Sequence, residues 1–258
     1  MEHELLFLGT CAADFSPRLR GDCRDRFDPD ARRSSSALLD GRYLIDCGPH
    51  TPEALAIAGA DAGAVTDLFL THTHADHFDP ANIEALASRT ENGLRLWVSE
   101  DAVLPDMKGV TVTRMAKFVP YAVTEELTVT GLKANHDKNA APQWLLFTVG
   151  DKKILYALDG AWYVNETYYF LRNAGLDLLV ADATVGDYDG DYRIAEHNSI
   201  PMLRLLLPSL RTFGIVGEGT KVFLSHLAPS LHRSHAETEI IAASFGALVA
   251  RDGLRVTF

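Results

Sequence analysis

With 258 residues, 47% hydrophobic and 23% charged, the chain has globular composition and enough length for a substantial core, so one α/β domain over residues 1–258 is expected. A formal net charge of −11 repels polyanions and gives no basic footprint for a nucleic-acid polymer. Cys11, Cys23 and Cys47 form no C-x-x-C pair, the N-terminal MEHELLFLGT has neither a positive leader nor a long apolar region, and no segment reaches the length of a membrane span; together these features lead us to expect a soluble, cytoplasmic protein with neither disulfides nor a thiolate zinc site.

A strand candidate at 4–9 opens the chain. In residues 18–33, Arg18, Arg20, Arg24, Arg26, Arg32 and Arg33 alternate with Asp22, Asp25, Asp28 and Asp30, a pattern read as a solvated mixed-charge loop. Residues 36–46 form two apolar runs divided by Asp40-Gly41, a hairpin signal. A helix at 51–59 leads to a buried strand at 66–71 and a helix at 79–89, with Asp79 as N-cap and Pro80 in the first turn. Strands rich in β-branched and aromatic residues follow at 94–98, 109–113, 126–134, 143–149 and 153–158, the last two joined at Gly150-Asp151. A helix at 165–174, a strand at 177–182, a helix at 199–212, a strand at 221–225 and a helix at 232–246 complete the order. This mixture argues for sheets covered by helices, with no readable internal repeat. His3 is read as terminal surface. His232 and His235, followed by Glu237 and Glu239, are read as a solvated helix start.

Chemistry concentrates in TDLFLTHTHADHFDP, where a buried strand runs straight into a loop carrying His72, His74, Asp76 and His77. Imidazole nitrogens and carboxylate oxygens suit Zn(II), Mn(II) or Fe(II), and a tight loop lets neighbouring side chains point at two adjacent cations. The alternative is a polar loop whose histidines coincide by chance, in a chain with only 10 His among 258 residues. Further on, KANHDKN offers His136, ILYALDG offers Asp159 and KVFLSH offers His226, each directly after an apolar run. Taken singly, His136 reads equally as a surface residue, Asp159 as a turn cap before Gly160, and His226 as a satisfied strand-end histidine.

The H-x-H-x-D-H run resembles the hallmark of the metallo-β-lactamase superfamily at every fixed position. That resemblance implies an αββα sandwich, two mixed sheets flanked by helices, and a site completed by a His, an Asp and a final His after later strands, an order His136, Asp159 and His226 match. It implies that His72, His74 and His136 hold one divalent metal, that Asp76, His77 and His226 hold a second, and that Asp159 bridges them. Zinc or manganese is expected, and the donor set also admits iron. Two such cations make hydroxide from a bridging water near neutral pH, the nucleophile of a hydrolase, and Asp76 is counted among the catalytic residues.

LLFLGTCAA, the polar loop into RRSSSALL, and then LIDCG, VADAT and EHNS are similar to the phosphodiesterase branch of that superfamily, nearest to the phosphoribosyl cyclic phosphodiesterases and more distantly to the tRNA 3′-processing nucleases. The similarity implies that His197 contacts phosphate and protonates the leaving oxygen; the alternative is a helix-start histidine beside a capping Asn198 or Ser199. Asp182, costly in its apolar run without a partner, is expected to orient a ligand histidine or His197, or else to be an exposed strand end. Asp46 carries the same two readings, and His50 is placed at the pocket rim. One departure is that these relatives bind an additional structural zinc through several cysteines before the R-x-S-S segment. Cys23 stands alone here, so that metal is not expected. The expected activity is hydrolysis of a small phosphodiester, foremost a cyclic phosphate, with a small-molecule phosphate ester as partner and neither membrane nor nucleic-acid polymer. A carbonyl-ester hydrolase (lactone, thioester or β-lactam) and a non-catalytic metal-retaining protein are the alternatives. Loops 15–33 and 162–170 are candidates for a homodimer contact or a substrate lid.

Overall fold

The computed structural model describes residues 2–258. In chain order its strands are β1 (Glu4–Gly9), β2 (Ser36–Leu39), β3 (Tyr43–Ile45), β4 (Asp67–Phe69), β5 (Leu94–Ser99), β6 (Val110–Met115), β7 (Pro120–Ala122), β8 (Leu127–Lys133), β9 (Gln143–Val149), β10 (Lys152–Ala157), β11 (Leu176–Asp182), β12 (Val216–Ser225), β13 (Leu248–Val249) and β14 (Arg255–Thr257). The helices are α1 (Thr51–Ile57), α2 (Pro80–Ala87), α3 (Asn165–Phe170), α4 (Ile200–Thr212) and α5 (His235–Ala243). Two seven-stranded sheets result, in the orders β14-β1-β2-β3-β4-β5-β6 and β13-β12-β11-β10-β9-β8-β7. In the first sheet the β14–β1, β1–β2 and β2–β3 pairs are antiparallel and the β3–β4, β4–β5 and β5–β6 pairs parallel. The second repeats the pattern from its β7 edge, antiparallel through β10 and parallel from β10 to β13.

Alternation along the strands sorts three cores. Leu5 and Phe7 face the gap between the sheets with Phe69, Phe147 and Val180, whereas Leu6 and Leu8 face outward beneath Leu55 of α1 and Ile83 of α2. On the second sheet Leu178 turns inward while Leu179 and Ala181 lie with Leu203 and Leu207 of α4 and Ala242 of α5. The layers are therefore helix, sheet, sheet, helix, the αββα sandwich expected. Local signals hold at the ends of elements: Asp79 accepts from the amides of Ala81 and Asn82, Ser199 caps α4, and Asp40 and Gly41 turn the β2–β3 hairpin with φ of 50° and 69°.

Differences arise where long-range partners decide. The edge strands β7, β13 and β14 have two or three residues each, too few to show a period. The helix expected over 165–174 ends at Phe170, and Asn173 takes φ 59°. Residues 18–33 are not solvated throughout, since Arg32 and Arg33 are 4% and 0% exposed. Arg33 pairs with Glu53 at 2.6 Å and donates to the Cys23 carbonyl, while Arg32 donates to Thr10 and to the Ala250 carbonyl. His235 lies 2.8 Å from the Arg32 guanidinium and is 8% exposed, and His232 donates from Nε2 to the Ala183 carbonyl, so neither belongs to a solvated helix start. His3 is buried against Asp40 rather than at the surface.

Candidate metal centre

Open α/β sheets leave their ligand sites beyond the carboxyl ends of parallel strands. Asp46 follows β3, Thr71 and the His72-to-His77 loop follow β4, Asp159 follows β10, Asp182 ends β11 and His226 follows β12. The loop after β8 adds His136, and the segment before α4 adds His197. Asp46, Asp159 and His226 adopt φ of 59°, 52° and 58°, a conformation that costs a side-chain-bearing residue roughly 1 kcal/mol or more. This strain is tolerated where the carboxylates and imidazole turn back over the strand ends. Gly48 is required for another reason: a Cβ there would collide with the Asp76 carbonyl, because the histidine loop lies directly on that backbone.

Donor atoms of His72, His74 and His136 fall within 4.8 Å of one another, as do those of Asp76, His77 and His226. Asp159 stands between the groups, with Oδ1 3.9 Å from His72 Nε2 and 3.8 Å from His136 Nε2, and Oδ2 3.0 Å from His77 Nε2 and 3.3 Å from His226 Nε2. These are the two trios and the bridging carboxylate named from the sequence, now in one place. His74 Nδ1 lies 3.0 Å from His72 Nε2 and 3.1 Å from His136 Nε2, and His77 Nε2 lies 3.2 Å from His226 Nε2. Imidazole nitrogens crowded this closely share a focus that one cation per trio satisfies better than hydrogen bonds among the rings. Asp159 Oδ2 is buried without a hydrogen bond despite its closeness to His77, so a carboxylate oxygen is left to meet a cation.

The outward nitrogens are anchored, which fixes the inward ones as lone-pair donors. His77 Nδ1 donates to Asp46 Oδ2 at 2.7 Å, and Asp46 also accepts from the Thr71 amide and hydroxyl. His72 Nδ1 lies 3.0 Å from Thr71 Oγ1, and His226 Nδ1 2.7 Å from Thr184 Oγ1. Asp182 is fully buried and accepts from the amides of Asp159, Thr184 and Asn198, from the Thr184 hydroxyl, and from His197 Nδ1 at 3.0 Å. Asp46 and Asp182 are thus buried and bonded to His77 and His197, and neither is the exposed strand end of the alternative reading. Thr71, Thr184 and Asn198 escaped the sequence reading, since each is an ordinary polar residue until its partner is placed.

Electrostatics follow from this crowding. Burial pushes the His72 and His136 imidazoles below the usual histidine range. Burial acts the same way on His77, but Asp159, Asp76 and Asp46 outweigh it and hold that ring well above the range. On Asp76 burial is likewise outweighed, by His77 and His226, which keep its carboxyl well below the ordinary value. Burial also opposes the charge on His197, yet Asp182 and then Asp159 raise it to about 9. Four carboxylates, those of Asp46, Asp76, Asp159 and Asp182, thus converge on these imidazoles, the kind of setting in which a cation would offset their charge. Above it opens a cavity of about 240 Å³ bounded by Ala12, Asp14, His136, Arg193, Glu196 and His197. His50 lies outside that wall, packed edge-on against Phe15 at 4.6 Å.

A family model described as the anti-Pycsar protein Apyc1 matches residues 35–103. Zinc phosphodiesterase ELAC protein 1 of Bos taurus is 37% identical over 82 residues, 30% of this chain and 19% of that protein, and its Homo sapiens counterpart is 36% identical over 81 residues. The matched stretch thus spans about a fifth of the length of these curated relatives. Among solved structures, a diphosphatase from the PhnP family superposes with TM-score 0.75 at 20% identity, over 100% of this chain and 98% of that one. YhfI of Bacillus subtilis, a metallo-β-lactamase fold protein, gives 0.77 at 17% identity over 100% of both chains. Zn(2+)-bound PqqB from Methylobacterium extorquens gives 0.70 at 18% identity over 98% of this chain and 99% of the other. The fold of this chain is the metallo-β-lactamase fold.

Proposed function

We propose that the protein is a metal-dependent hydrolase of small phosphodiesters, a cyclic phosphate foremost, with His72, His74 and His136 holding one divalent cation, Asp76, His77 and His226 a second, and Asp159 between them. Zinc is the first metal to test, since the curated relatives are named zinc phosphodiesterases and PqqB was solved with zinc; manganese is the second. When bound, the cations supply Lewis acidity toward a phosphoryl oxygen and acidify water. The chain's own residues do the rest. Asp46 and Thr71 hold His77 and His72 in one tautomer, and Thr184 does so for His226.

One observation carries the phosphodiester reading: His197 sits on the cavity wall with Nδ1 tied to Asp182, so Nε2 is the nitrogen left for substrate. An alkoxide leaving from phosphorus needs a proton, and the Asp182 carboxylate keeps an imidazolium available through neutral pH. A thioester, which expels a thiolate, has no such need, so a proton donor at that position favours an oxygen leaving group. Protein loaded with zinc or manganese is expected to hydrolyse both bis-p-nitrophenyl phosphate, whose nitrophenolate leaves unprotonated, and a ribose 2′,3′-cyclic phosphate, whose alkoxide does not, and His197→Ala to lower turnover of the cyclic phosphate about 10²–10⁴-fold with metal content unchanged. Turnover of a lactone or thioester but of no phosphodiester, or a His197→Ala protein as active as the native one on the cyclic phosphate, overturns the reading.

A further inference from the structure

The chemistry at the floor of the cavity selects a phosphoryl group; the rim meets whatever hangs from it. Asp14, on the β1–β2 connection, and Glu196, on the β11–α4 connection, are both exposed acidic residues that line the cavity. Asp137 adds a third, its Oδ2 3.6 Å from His74 Nε2 beside the entrance. Arg193 carries the one guanidinium on this wall among the described residues, and it is already engaged. Its Nε and Nη2 each donate to Asp191 at 2.8 Å in a two-pronged pair, its Cζ lies 5.2 Å from the Tyr192 ring centroid, and Asp14 acts on it as a second negative neighbour. Among the described residues lining the cavity, His197 is thus the cation assigned to the reacting phosphate, and the charge of Arg193 is already offset by Asp191.

Accepting the phosphodiesterase reading above, we infer that Asp14 and Glu196 are specificity-determining residues that restrict the substrate to compact phosphodiesters bearing no other anionic group. The accepted class has a neutral or cationic organic arm rich in hydroxyl or amine donors. A cavity of about 240 Å³ holds such a molecule but lies below the usual span of drug-sized pockets, about 300–1,000 Å³. Hydroxyl and ammonium groups donate to carboxylates, whereas a terminal phosphate would face them at close range. A like-charge encounter at about 4 Å in water costs about five-fold in affinity, so a phosphate meeting two carboxylates is disfavoured about 25-fold, and about ten-fold where the separations are larger. Ordinary salt screens such rim charges over about 10 Å, which makes the discrimination sensitive to ionic strength.

The test compares uridine 2′,3′-cyclic phosphate with its 5′-phosphorylated counterpart, a pair differing by one phosphomonoester, using the zinc-loaded full chain. We expect kcat/KM to favour the singly charged member at least ten-fold at low salt. We further expect the ratio to narrow toward unity in the Asp14→Asn, Glu196→Gln double variant and, in the native protein, on raising salt from about 20 to about 200 mM. Asparagine keeps an acceptor for the Ser230 amide that Asp14 binds, so the loop retains its tie, and the melting temperature reports whether it has. Calorimetric binding of non-hydrolysable phosphonate analogues of the two compounds reads the same ratio without turnover. Equal or inverted preference in the native protein, or a double variant with the native ratio, overturns the inference while leaving the phosphodiesterase reading intact. Failure to hydrolyse either compound or bis-p-nitrophenyl phosphate overturns both.

Discussion

Thr184 Oγ1 touches three functional groups at once, His226 Nδ1 at 2.7 Å, Asp182 Oδ2 at 3.1 Å and His197 Nδ1 at 3.1 Å. A hydroxyl has one hydrogen and two lone pairs, so the consistent assignment has His226 donating to Thr184 and Thr184 donating to Asp182, which leaves His226 Nε2 unprotonated toward the centre. Thr184→Val keeps the shape and removes that relay. It is expected to lower metal affinity or turnover about 10–100-fold, and Thr184→Ser to restore most of it. Metal retained against graded chelator, measured beside turnover of bis-p-nitrophenyl phosphate, checks this; a valine variant with native retention and rate would show that the contact orients nothing. At this scale the sequence was most legible where donors are consecutive, in His72, His74, Asp76 and His77, because their clustering needs no third dimension to be noticed. Asp46 and Asp182 were legible in part, since a carboxylate ending an apolar run demands a partner. The threonines were not, as threonine belongs in strands for reasons unconnected with chemistry.

Between β12 and α5, the segment after His226 forms the partition between the cavity above the histidine cluster, to which it gives Ala228, and a second cavity of about 240 Å³ to which it gives Pro229 and His232. It is pressed onto the β11–α4 connection so closely that a Cβ on Gly186 would collide with the Leu231 carbonyl. His232 is its anchor: Nε2 donates to Ala183 at 2.6 Å, and burial pushes the ring down to about 4, with Arg32 adding to the fall. The folded protein thus refuses a proton that the unfolded chain accepts below about pH 6.5. Stability from this group is intact above that value and is lost as pH falls from 6.5 toward 4, amounting to about 2 kcal/mol at pH 5. Urea unfolding of native protein and His232→Gln at pH 7 and pH 5 isolates the contribution, because all other titrations are common to both. Equal pH dependence in the two proteins would show that His232 is not shielded as described. The helix at 232–246 was readable from its periodicity, whereas the burial of its leading histidines was not, since it depends on Arg32 some 200 positions earlier. Residues 18–33 misled for the same reason: alternating charge looks solvated until Glu53 and Asp252 are seen to collect Arg33.

Both sheets use the same succession of antiparallel and parallel neighbours, and equivalent positions carry related duties. Asp46 after β3 and Asp159 after β10 take the same left-handed turn; Thr71 and Thr184, each two residues beyond β4 and β11, brace an imidazole. No repeat is visible in the sequence because these positions keep a backbone geometry rather than a residue pattern. The consequence is an asymmetric division of donors. His72, His74, Asp76 and His77 hang from the first sheet, and His136, Asp159 and His226 from the second. Cations bound there would tie the two sheets together at one end of the sandwich, and the unfolded chain, with its donors scattered over 155 positions, would bind far more weakly. Free metal at about 100 times each dissociation constant contributes about 2.7 kcal/mol per site. At roughly 2–4 °C per kcal/mol for a chain of this size, two sites raise the melting midpoint by roughly 10 °C or more. Scanning calorimetry across a series of zinc-buffered solutions should show the midpoint climbing with free zinc, and Asp159→Asn, which weakens both sites through the one residue they share, should flatten the climb more than His74→Ala, which touches one. A midpoint indifferent to zinc and to chelator would mean that these seven side chains meet without a cation, and the buried, unbonded Asp159 oxygen would then need another partner.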